Sequence, residues 1–410
     1  MNGVTVTTSR RALAVSPSVW GVVTIWVIFR AWTSLWAALV STLRPLTALE
    51  QSVALWPPSA PWGWWLQRAL LAPWERWDGA WYLRIITEGY QCGNGTDAFH
   101  PLYPGLAWPL TRLGIDPLLS LMIVGSLATL AFLLLFERMA GLDSTPAQAQ
   151  TASHLLLFFP VAFILFAPYN EGLFLLLSAL TLLWARQHRW WRAGIAGALA
   201  VLTRPQGLFL VFPFAWELWE AHERDVRLAL RDWRCCSALG LIPIGMGLWV
   251  LYRALVVGGA QLNFNSPYVL VYSMLISPSA GKVGASHVVT WPWNALQLAL
   301  VHLWVKPDWD LAVNVMLSAA FVGLVLVAWP RLRASYRVYV LVMLLVSFSY
   351  HTGTGHPYMG LPRHLFLAFP VFIGLGKIGW CSRCRLLWTG GGFAGSCFLI
   401  LLYVLKAWVP

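Results

Sequence analysis

The feature that most constrains this chain is its series of long apolar segments, which are separated by short polar connections. Many of these segments approach the about 20 residues that a helix needs to cross about 30 Å of hydrocarbon. They lack the regular apolar–polar alternation of barrel strands, so they favour helices. Only 11% of the residues are charged, against about 25% in a soluble domain. The sequence therefore predicts an all-α polytopic membrane protein.

We predict about eleven transmembrane helices. They are expected at residues 17–43, 116–137, 151–168, 171–186, 191–203, 206–221, 236–257, 311–329, 338–350, 364–380 and 387–408. The first segment follows Arg10 and Arg11 and is too long for a cleaved signal peptide, so we expect it to be retained. No internal repeat or linker divides the chain, which is predicted to be one domain over residues 1–410.

Basic residues are concentrated in alternate connections. With the N-terminus inside, one set of connections contains Arg10, Arg11, Arg138, Arg186, Arg189, Arg192, Arg224, Arg227, Arg231, Arg234, Arg331, Arg333, Arg337, Arg383 and Arg385. The positive-inside rule assigns this set to the cytoplasm. The net charge of +12 is therefore explained by topology, and we expect no nucleic-acid partner.

The opposite set of connections is longer and richer in aromatic residues, and it is expected outside. In it, residues 64–90 predict an amphipathic helix lying in the membrane interface. Residues 101–113 are too short to span and predict a re-entrant or interfacial segment, and residues 285–305 predict another interfacial helix.

Polar side chains cluster in these external connections. They are Asp78, Arg84, Glu88, His100, Arg112, Glu171, Arg204, His356, Arg363 and His364. Charged groups at membrane depth are costly and usually mark a pathway or a site. A carboxylate can act as a base, and arginine binds two phosphate oxygens with its planar fork. The combination is typical of group transfer from a lipid-linked phosphate to an acceptor hydroxyl.

Most of these residues, though not Arg204 and Arg363, also have a structural explanation. Arg84 and Glu88 have the spacing of an ion pair within one helix. Arg112 has the length to reach lipid headgroups, and Glu171 suits a helix N-terminus. The histidines suit interfacial hydrogen bonds, and Asp78 could pair with Arg76 or Arg84.

The six cysteines do not predict a disulfide framework. Cys235-Cys236 and Cys381-x-x-Cys384 lie in predicted cytoplasmic connections. A zinc site would need more ligands than this one CxxC supplies. We therefore expect free thiols and no metal.

Several motifs resemble the PIG-V family, which comprises GPI mannosyltransferase 2 and its prokaryotic relatives. The resemblance rests on the Arg76–Tyr90 stretch with its Trp77-Asp78, and on Ala-Phe-His-Pro-Leu-Tyr-Pro at 98–104. Tyr-Asn-Glu at 169–171, Thr-Arg-Pro at 203–205 and Pro-Arg-His at 362–364 also match. The resemblance to this family covers residues 70–210 well and the remainder of the chain loosely. His100 and His364 stand where the family usually has Phe and Tyr.

The resemblance implies a GT-C-type bundle that uses a polyprenyl- or dolichyl-phosphate sugar, typically mannose, without a cofactor. The acceptor would be a glycan or glycolipid hydroxyl at the extracytoplasmic or lumenal face. The compact chain favours a prokaryotic plasma-membrane protein over one of the endoplasmic reticulum. The family's acidic residue in the first external loop corresponds to Asp78, which we assign as the general base of an inverting transfer.

The other predicted site residues have supporting roles. Arg204 and Arg363, with Arg112 as a weaker candidate, are expected to hold the donor phosphate. The expected substrate contacts are Trp77, Trp81, Tyr82, His100, Tyr103, Glu171 and His364. A transferase for another lipid-phosphate-linked sugar remains an alternative, as does a non-enzymatic polyprenyl-lipid transporter or binding subunit.

Overall fold

The computed structural model describes residues 19–45, 69–258, 288–352 and 357–405, and these are almost entirely helical. The helices are α1 (Val19–Leu43), α2 (Trp77–Glu88), α3 (Leu102–Arg112), α4 (Pro117–Gly141), α5 (Pro146–Leu157), α6 (Glu171–Arg186), α7 (Trp190–Val201), α8 (Val211–Ala221), α9 (Val226–Arg231), α10 (Trp233–Tyr252), α11 (Pro292–Val305), α12 (Trp309–Ala328), α13 (Ala334–Ser349), α14 (Leu361–Phe366), α15 (Pro370–Gly376) and α16 (Ser382–Val404). Two-residue strands, β1 (Val288–Val289) and β2 (Tyr350–His351), pair antiparallel. Short 3₁₀ and π turns connect several helices.

Five helical segments of the described residues are long and apolar enough to cross a membrane. They are Val19–Leu43, Pro117–Gly141, Trp233–Val257, Trp309–Arg331 and Ser382–Val404. The bent pair formed by α5 and the 3₁₀ turn Pro160–Phe166 would make six. The prediction of an all-helical, integral membrane protein is therefore confirmed, whereas the number of eleven spans is not.

Two predicted spans are broken by proline. The expected span 151–168 is divided after α5, and the Pro160–Phe166 turn leaves at 85° to it. The expected span 364–380 is replaced by α14 and α15, with Pro370 at the start of α15. Proline lacks the N–H that would continue the preceding helix, and its ring restricts the residue before it. Both breaks lie in buried parts of the bundle, where neighbouring elements cover them.

The described part of the first connection predicted to be external, from residue 69, is largely buried, which corrects the prediction of an interfacial helix over 64–90. Residues 64–68 lie outside the described part of the chain. From there a 3₁₀ turn (Ala72–Trp74) precedes α2, which begins only at Trp77. Seven of the twelve residues of α2 are buried, because α3 and α4 pack against it. The short helices expected at 101–113 and 285–305 are observed as α3 and α11.

The start of α2 is fixed by contacts with the end of α16 and with the connection before α6. Arg76 donates a hydrogen bond from Nε to the Val404 carbonyl oxygen, at 3.3 Å. Gly79 lies so close to Pro168 that a Cβ at this position would be 2.8 Å from the Pro168 Cγ. This contact needs glycine, and it holds Asp78 beside the 168–171 segment.

The bundle core lies where α4, α6, α14 and α15 meet the Pro160–Phe166 turn. It is rich in buried aromatic rings, including Phe132, Phe369 and Phe372, which contact their neighbours edge to face. A Cβ on Gly172 would fall against Thr129 of α4. The close approach of α6 to α4 therefore begins one residue after Glu171.

Cys381 and Cys384 form a disulfide, so the prediction of free thiols is wrong at these two positions. The CxxC spacing brings both sulfur atoms to the first turn of α16, where Cys381 also accepts a hydrogen bond from the Cys384 N–H. Cys235 and Cys236 are free thiols, as expected. Among the described residues, no three His, Cys, Asp or Glu side chains are grouped as a metal site.

Candidate functional site

Four charged side chains from distant parts of the chain meet at one end of the bundle. Arg363 on α14 donates from Nη1 to the Asp78 carboxylate of α2, at 2.9 Å. Its Nε lies 3.4 Å from the Glu171 carboxylate at the start of α6. Arg204, which lies just before Pro205, donates to the same Glu171 oxygen. The sequence predicted these four residues as site residues, and the structure brings them into one network, the Asp78 cluster.

The Asp78 cluster has an outer and an inner pair. The side chains of Asp78 and Arg363 are 27% and 15% exposed, so the outer pair can contact a ligand. Those of Arg204 and Glu171 are 7% and 0% exposed. The inner pair is therefore almost fully covered by its neighbours.

The Tyr169–Asn170 turn supports the cluster, and neither residue was predicted to belong to the site. The Tyr169 hydroxyl accepts from the Asp78 backbone N–H at 3.3 Å, and the Arg363 guanidinium lies over the Tyr169 ring. Asn170 accepts from Arg204 at 2.8 Å and donates to the Thr203 carbonyl oxygen at 2.7 Å. Both residues belong to the Tyr-Asn-Glu motif at 169–171, in which the sequence indicates a role only for Glu171.

His364 lies beside the inner pair. Its Nδ1 is 3.2 Å from Arg204 Nη2 and 3.5 Å from Gln206 Nε2. Both neighbours can only donate at these atoms, so Nδ1 is the acceptor and the ring proton of the neutral form is on Nε2. This half-buried imidazole adds a further hydrogen-bonding group to the Asp78 cluster.

The backbone at the start of α2 is strained. Trp77 has φ 50°, in the left-handed region that bulky side chains rarely adopt. Such a conformation costs about 1–3 kcal/mol and persists where surrounding contacts enforce it, often at functional sites. It directly precedes Asp78, and Trp77 itself is half-buried. The strain is consistent with a backbone held in place to present the Asp78 carboxylate.

The charges in the Asp78 cluster balance. Burial lowers the pKa of Arg363, but the charges of Asp78 and Glu171 outweigh this and leave its pKa raised overall. Arg363 therefore stays protonated. Two guanidinium groups face two carboxylate groups, so any proton that Asp78 accepts would give the cluster an excess positive charge. Such a cluster can couple proton uptake to the stabilisation of a developing anion.

The predicted aromatic contacts Trp81, Tyr82 and Tyr103 lie behind the cluster and are buried. Trp81 stacks on Phe99, and Tyr82 packs edge-on against Phe99 and Tyr103. The Tyr103 hydroxyl donates to the Leu121 carbonyl oxygen at 2.9 Å. In the described structure these residues support α2 and α3 by packing and are covered by their neighbours.

Three predicted external residues lie apart from the cluster. Arg112 is exposed at the end of α3, with its guanidinium 4.7 Å from the Trp108 ring centroid. Arg84 and Glu88 form the expected ion pair along α2, at 2.9 Å. His356 lies outside the described residues.

His100 is 4% exposed and packs between the end of α7 and α10. Its Nδ1 lies 2.6 Å from the Val201 carbonyl oxygen, so Nδ1 carries the proton of the neutral ring. Burial is the main cause that lowers the pKa of His100 to about 3, and Arg253 and Arg204 lower it further. The ring is therefore neutral and structural in the described state.

This burial predicts a pH-dependent stability. Below pH 6.5 the unfolded state binds a proton at His100 that the folded state does not, so stability falls as the pH falls towards 3. At pH 5 this effect amounts to about 2 kcal/mol. We expect His100→Phe to lose less stability than the wild type between pH 7.5 and pH 5. Thermal melting at both pH values measures this.

The control is the exposed His188, whose left-handed backbone suits the change His188→Asn. This variant should keep the wild-type pH dependence. An unchanged pH dependence in His100→Phe would contradict a neutral, buried His100.

No protein-family model matches the sequence, and none of the curated proteins matches it. The PIG-V resemblance of the motifs is thus not supported by a family model. Among solved structures, the chain is similar to the apo crystal structure of the oligosaccharyltransferase from Archaeoglobus fulgidus, with 13% sequence identity and a TM-score of 0.43. The match covers 95% of this chain and 57% of that chain, so this protein spans little more than half the length of its structural neighbour.

Proposed function

We propose that the protein is an inverting glycosyltransferase. It transfers mannose from a polyprenyl- or dolichyl-phosphate donor to a hydroxyl of a glycan or glycolipid. The reaction takes place at the extracytoplasmic face of a prokaryotic plasma membrane, in a single GT-C-type domain. The observation that carries the proposal is the Asp78 cluster, which combines an accessible carboxylate with two arginines at the ends of apolar helices.

Asp78 is the general base in this proposal. It takes the proton from the acceptor hydroxyl as that oxygen attacks the anomeric carbon of the donor. The new sugar–oxygen bond forms while the bond from the anomeric carbon to the phosphate oxygen breaks. A single displacement of this kind inverts the anomeric centre. The bond electrons leave with the polyprenyl phosphate, which gains one negative charge.

Arg363 links proton transfer to Asp78 with the departure of the lipid phosphate. Its Nη1 donates to the Asp78 carboxylate in the structure. Once Asp78 has accepted the proton, it no longer neutralises Arg363, so the guanidinium becomes available to the charge developing on the leaving phosphate. Arg204 reinforces this from the inner layer, and Glu171 keeps both guanidinium groups oriented.

A transfer assay tests the proposal. Purified protein in liposomes should convert polyprenyl-phosphate mannose to a mannosylated product when membrane glycolipids or glycans are supplied, and should release free polyprenyl phosphate. The same assay with glucose or pentose donors tests the alternative sugars. Donor movement between leaflets without polyprenyl phosphate release would identify a transporter. Donor binding with neither activity would identify a binding subunit, and both results would refute the proposal.

A further inference from the structure

A cavity lies at the other end of the bundle from the Asp78 cluster. Its volume is about 760 Å³, within the range of about 300–1,000 Å³ typical of ligand pockets. Helix α4 contacts both regions. Gly125 of α4 lies beside Tyr103 and Tyr169, next to the Asp78 cluster, whereas Glu137 of α4 lines the cavity. The two positions are about 18 Å apart along the helix, at 1.5 Å per residue. The cavity therefore lies towards the end of α4 that is farther from the Asp78 cluster.

The cavity contains a carboxylate and a guanidinium that are not paired with each other. Glu137 is 7% exposed, and it makes no salt bridge within the described residues. Arg385 of α16 lines the same cavity and also makes no salt bridge there. The charge of the buried Glu137 without a counter-charge is costly, whereas Arg385 is exposed. The cavity is therefore suited to a ligand that carries both signs of charge.

The remaining walls are polar on one side and apolar on the other. His154 of α5 and Thr389 of α16 both line the cavity and are hydrogen-bonded at 2.8 Å. Val22 and Ile25 of α1 form an apolar wall. Helix α1 lies at the edge of the bundle, since only 22% of the residues in its most apolar stretch are buried. An apolar chain can therefore leave the cavity along α1 into lipid.

We propose that this cavity binds a phospholipid whose headgroup carries both a phosphate and a primary amine. Arg385 binds the phosphate, because a guanidinium matches two phosphate oxygens. Glu137 binds the ammonium group, which has three N–H donors. Glu137 lies in the last turns of α4, at the level expected for lipid headgroups. The proposal does not depend on the proposed transferase function.

Three lipids with identical acyl chains separate the contribution of the phosphate from that of the primary amine. Phosphatidylethanolamine has the phosphate and the primary amine. Phosphatidylglycerol lacks the amine, and phosphatidylcholine has a quaternary ammonium without N–H donors. We expect the full-length protein in detergent to bind phosphatidylethanolamine roughly tenfold more tightly than the other two, measured by native mass spectrometry, because hydrogen bonds between charged groups are strong.

Variants test the two contacts separately. Glu137→Gln should abolish the preference for phosphatidylethanolamine over phosphatidylglycerol, and Arg385→Gln should weaken binding of all three lipids. Arg383→Gln, two residues away and not lining the cavity, should behave as the wild type. Melting temperatures without added lipid confirm that each variant is folded. Equal affinity for the three lipids, tighter binding of phosphatidylglycerol, or an unchanged preference in Glu137→Gln would each overturn the proposal.

Discussion

Replacing Asp78 with Asn is expected to lower turnover by about 10²–10⁴-fold, the usual contribution of a positioned general base. The amide has nearly the same size and can still accept a hydrogen bond from Arg363, so the outer pair should keep its geometry. It cannot take up a proton at neutral pH. The acceptor hydroxyl would then attack without a base, while the donor would still bind.

The same substitution should tighten binding of the product lipid phosphate. Without the Asp78 charge, the Asp78 cluster carries one excess positive charge before any reaction occurs. Polyprenyl phosphate then binds the state that the wild-type protein reaches only after proton transfer. We expect roughly a tenfold gain in affinity, as for one additional charge-assisted contact. A competition assay with labelled polyprenyl phosphate measures this separately from turnover.

A matched control is Asp116→Asn. Asp116 caps the start of α4 by accepting from the N–H groups of Leu118 and Leu119, and asparagine caps helices about as well. This variant should keep wild-type turnover and lipid-phosphate binding. If Asp78→Asn retained wild-type turnover, the base assignment would be wrong. If it lost both turnover and phosphate binding, Asp78 would instead be a residue that organises the binding site.

The residues of the Asp78 cluster could be found in the sequence because charge is rare in this chain. Asp78, Glu171, Arg204 and Arg363 each stand out against apolar surroundings at the ends of predicted helices. The sequence could not show that they meet, because their separation along the chain reaches 285 residues for the Asp78–Arg363 pair. Tertiary packing, including the Gly79 contact with Pro168, decides that.

The aromatic residues illustrate why the rest could not be predicted. Trp81, Tyr82 and Tyr103 have the composition of a sugar-binding surface and also that of a packed core. The structure shows that all three side chains are buried, which the sequence alone could not predict. The number of eleven spans is not confirmed for a related reason. Pro160 and Pro370 interrupt apolar runs whose hydropathy is continuous, and hydropathy does not report where a backbone bends.

The largest expected effect on stability comes from separating the inner pair, Glu171 and Arg204. The Glu171 side chain is 0% exposed and that of Arg204 is 7% exposed. Removing Glu171 leaves Arg204 as a buried, uncompensated charge, which typically costs about 3–5 kcal/mol. We therefore expect Glu171→Gln to be strongly destabilised, and Arg204→Gln to be destabilised less because Glu171 still approaches Arg363. The double variant should lose less than the sum, because it leaves neither charge without its partner.

A double-mutant cycle measured by thermal or denaturant unfolding in detergent quantifies this coupling. The reference is the cycle at Arg84 and Glu88, the partly exposed ion pair on α2. Its coupling should be about 0.5 kcal/mol or less. Because Glu171 also approaches Arg363, Arg204→Gln should be partly compensated and hence less destabilising than a fully isolated charge would be. If the Glu171–Arg204 coupling were no larger than that of the reference pair, the inner pair would not be what holds the two arginines in place. The proposed role of Glu171 in orienting them would then fail, while the assignment of Asp78 as the base would stand or fall on its own assay.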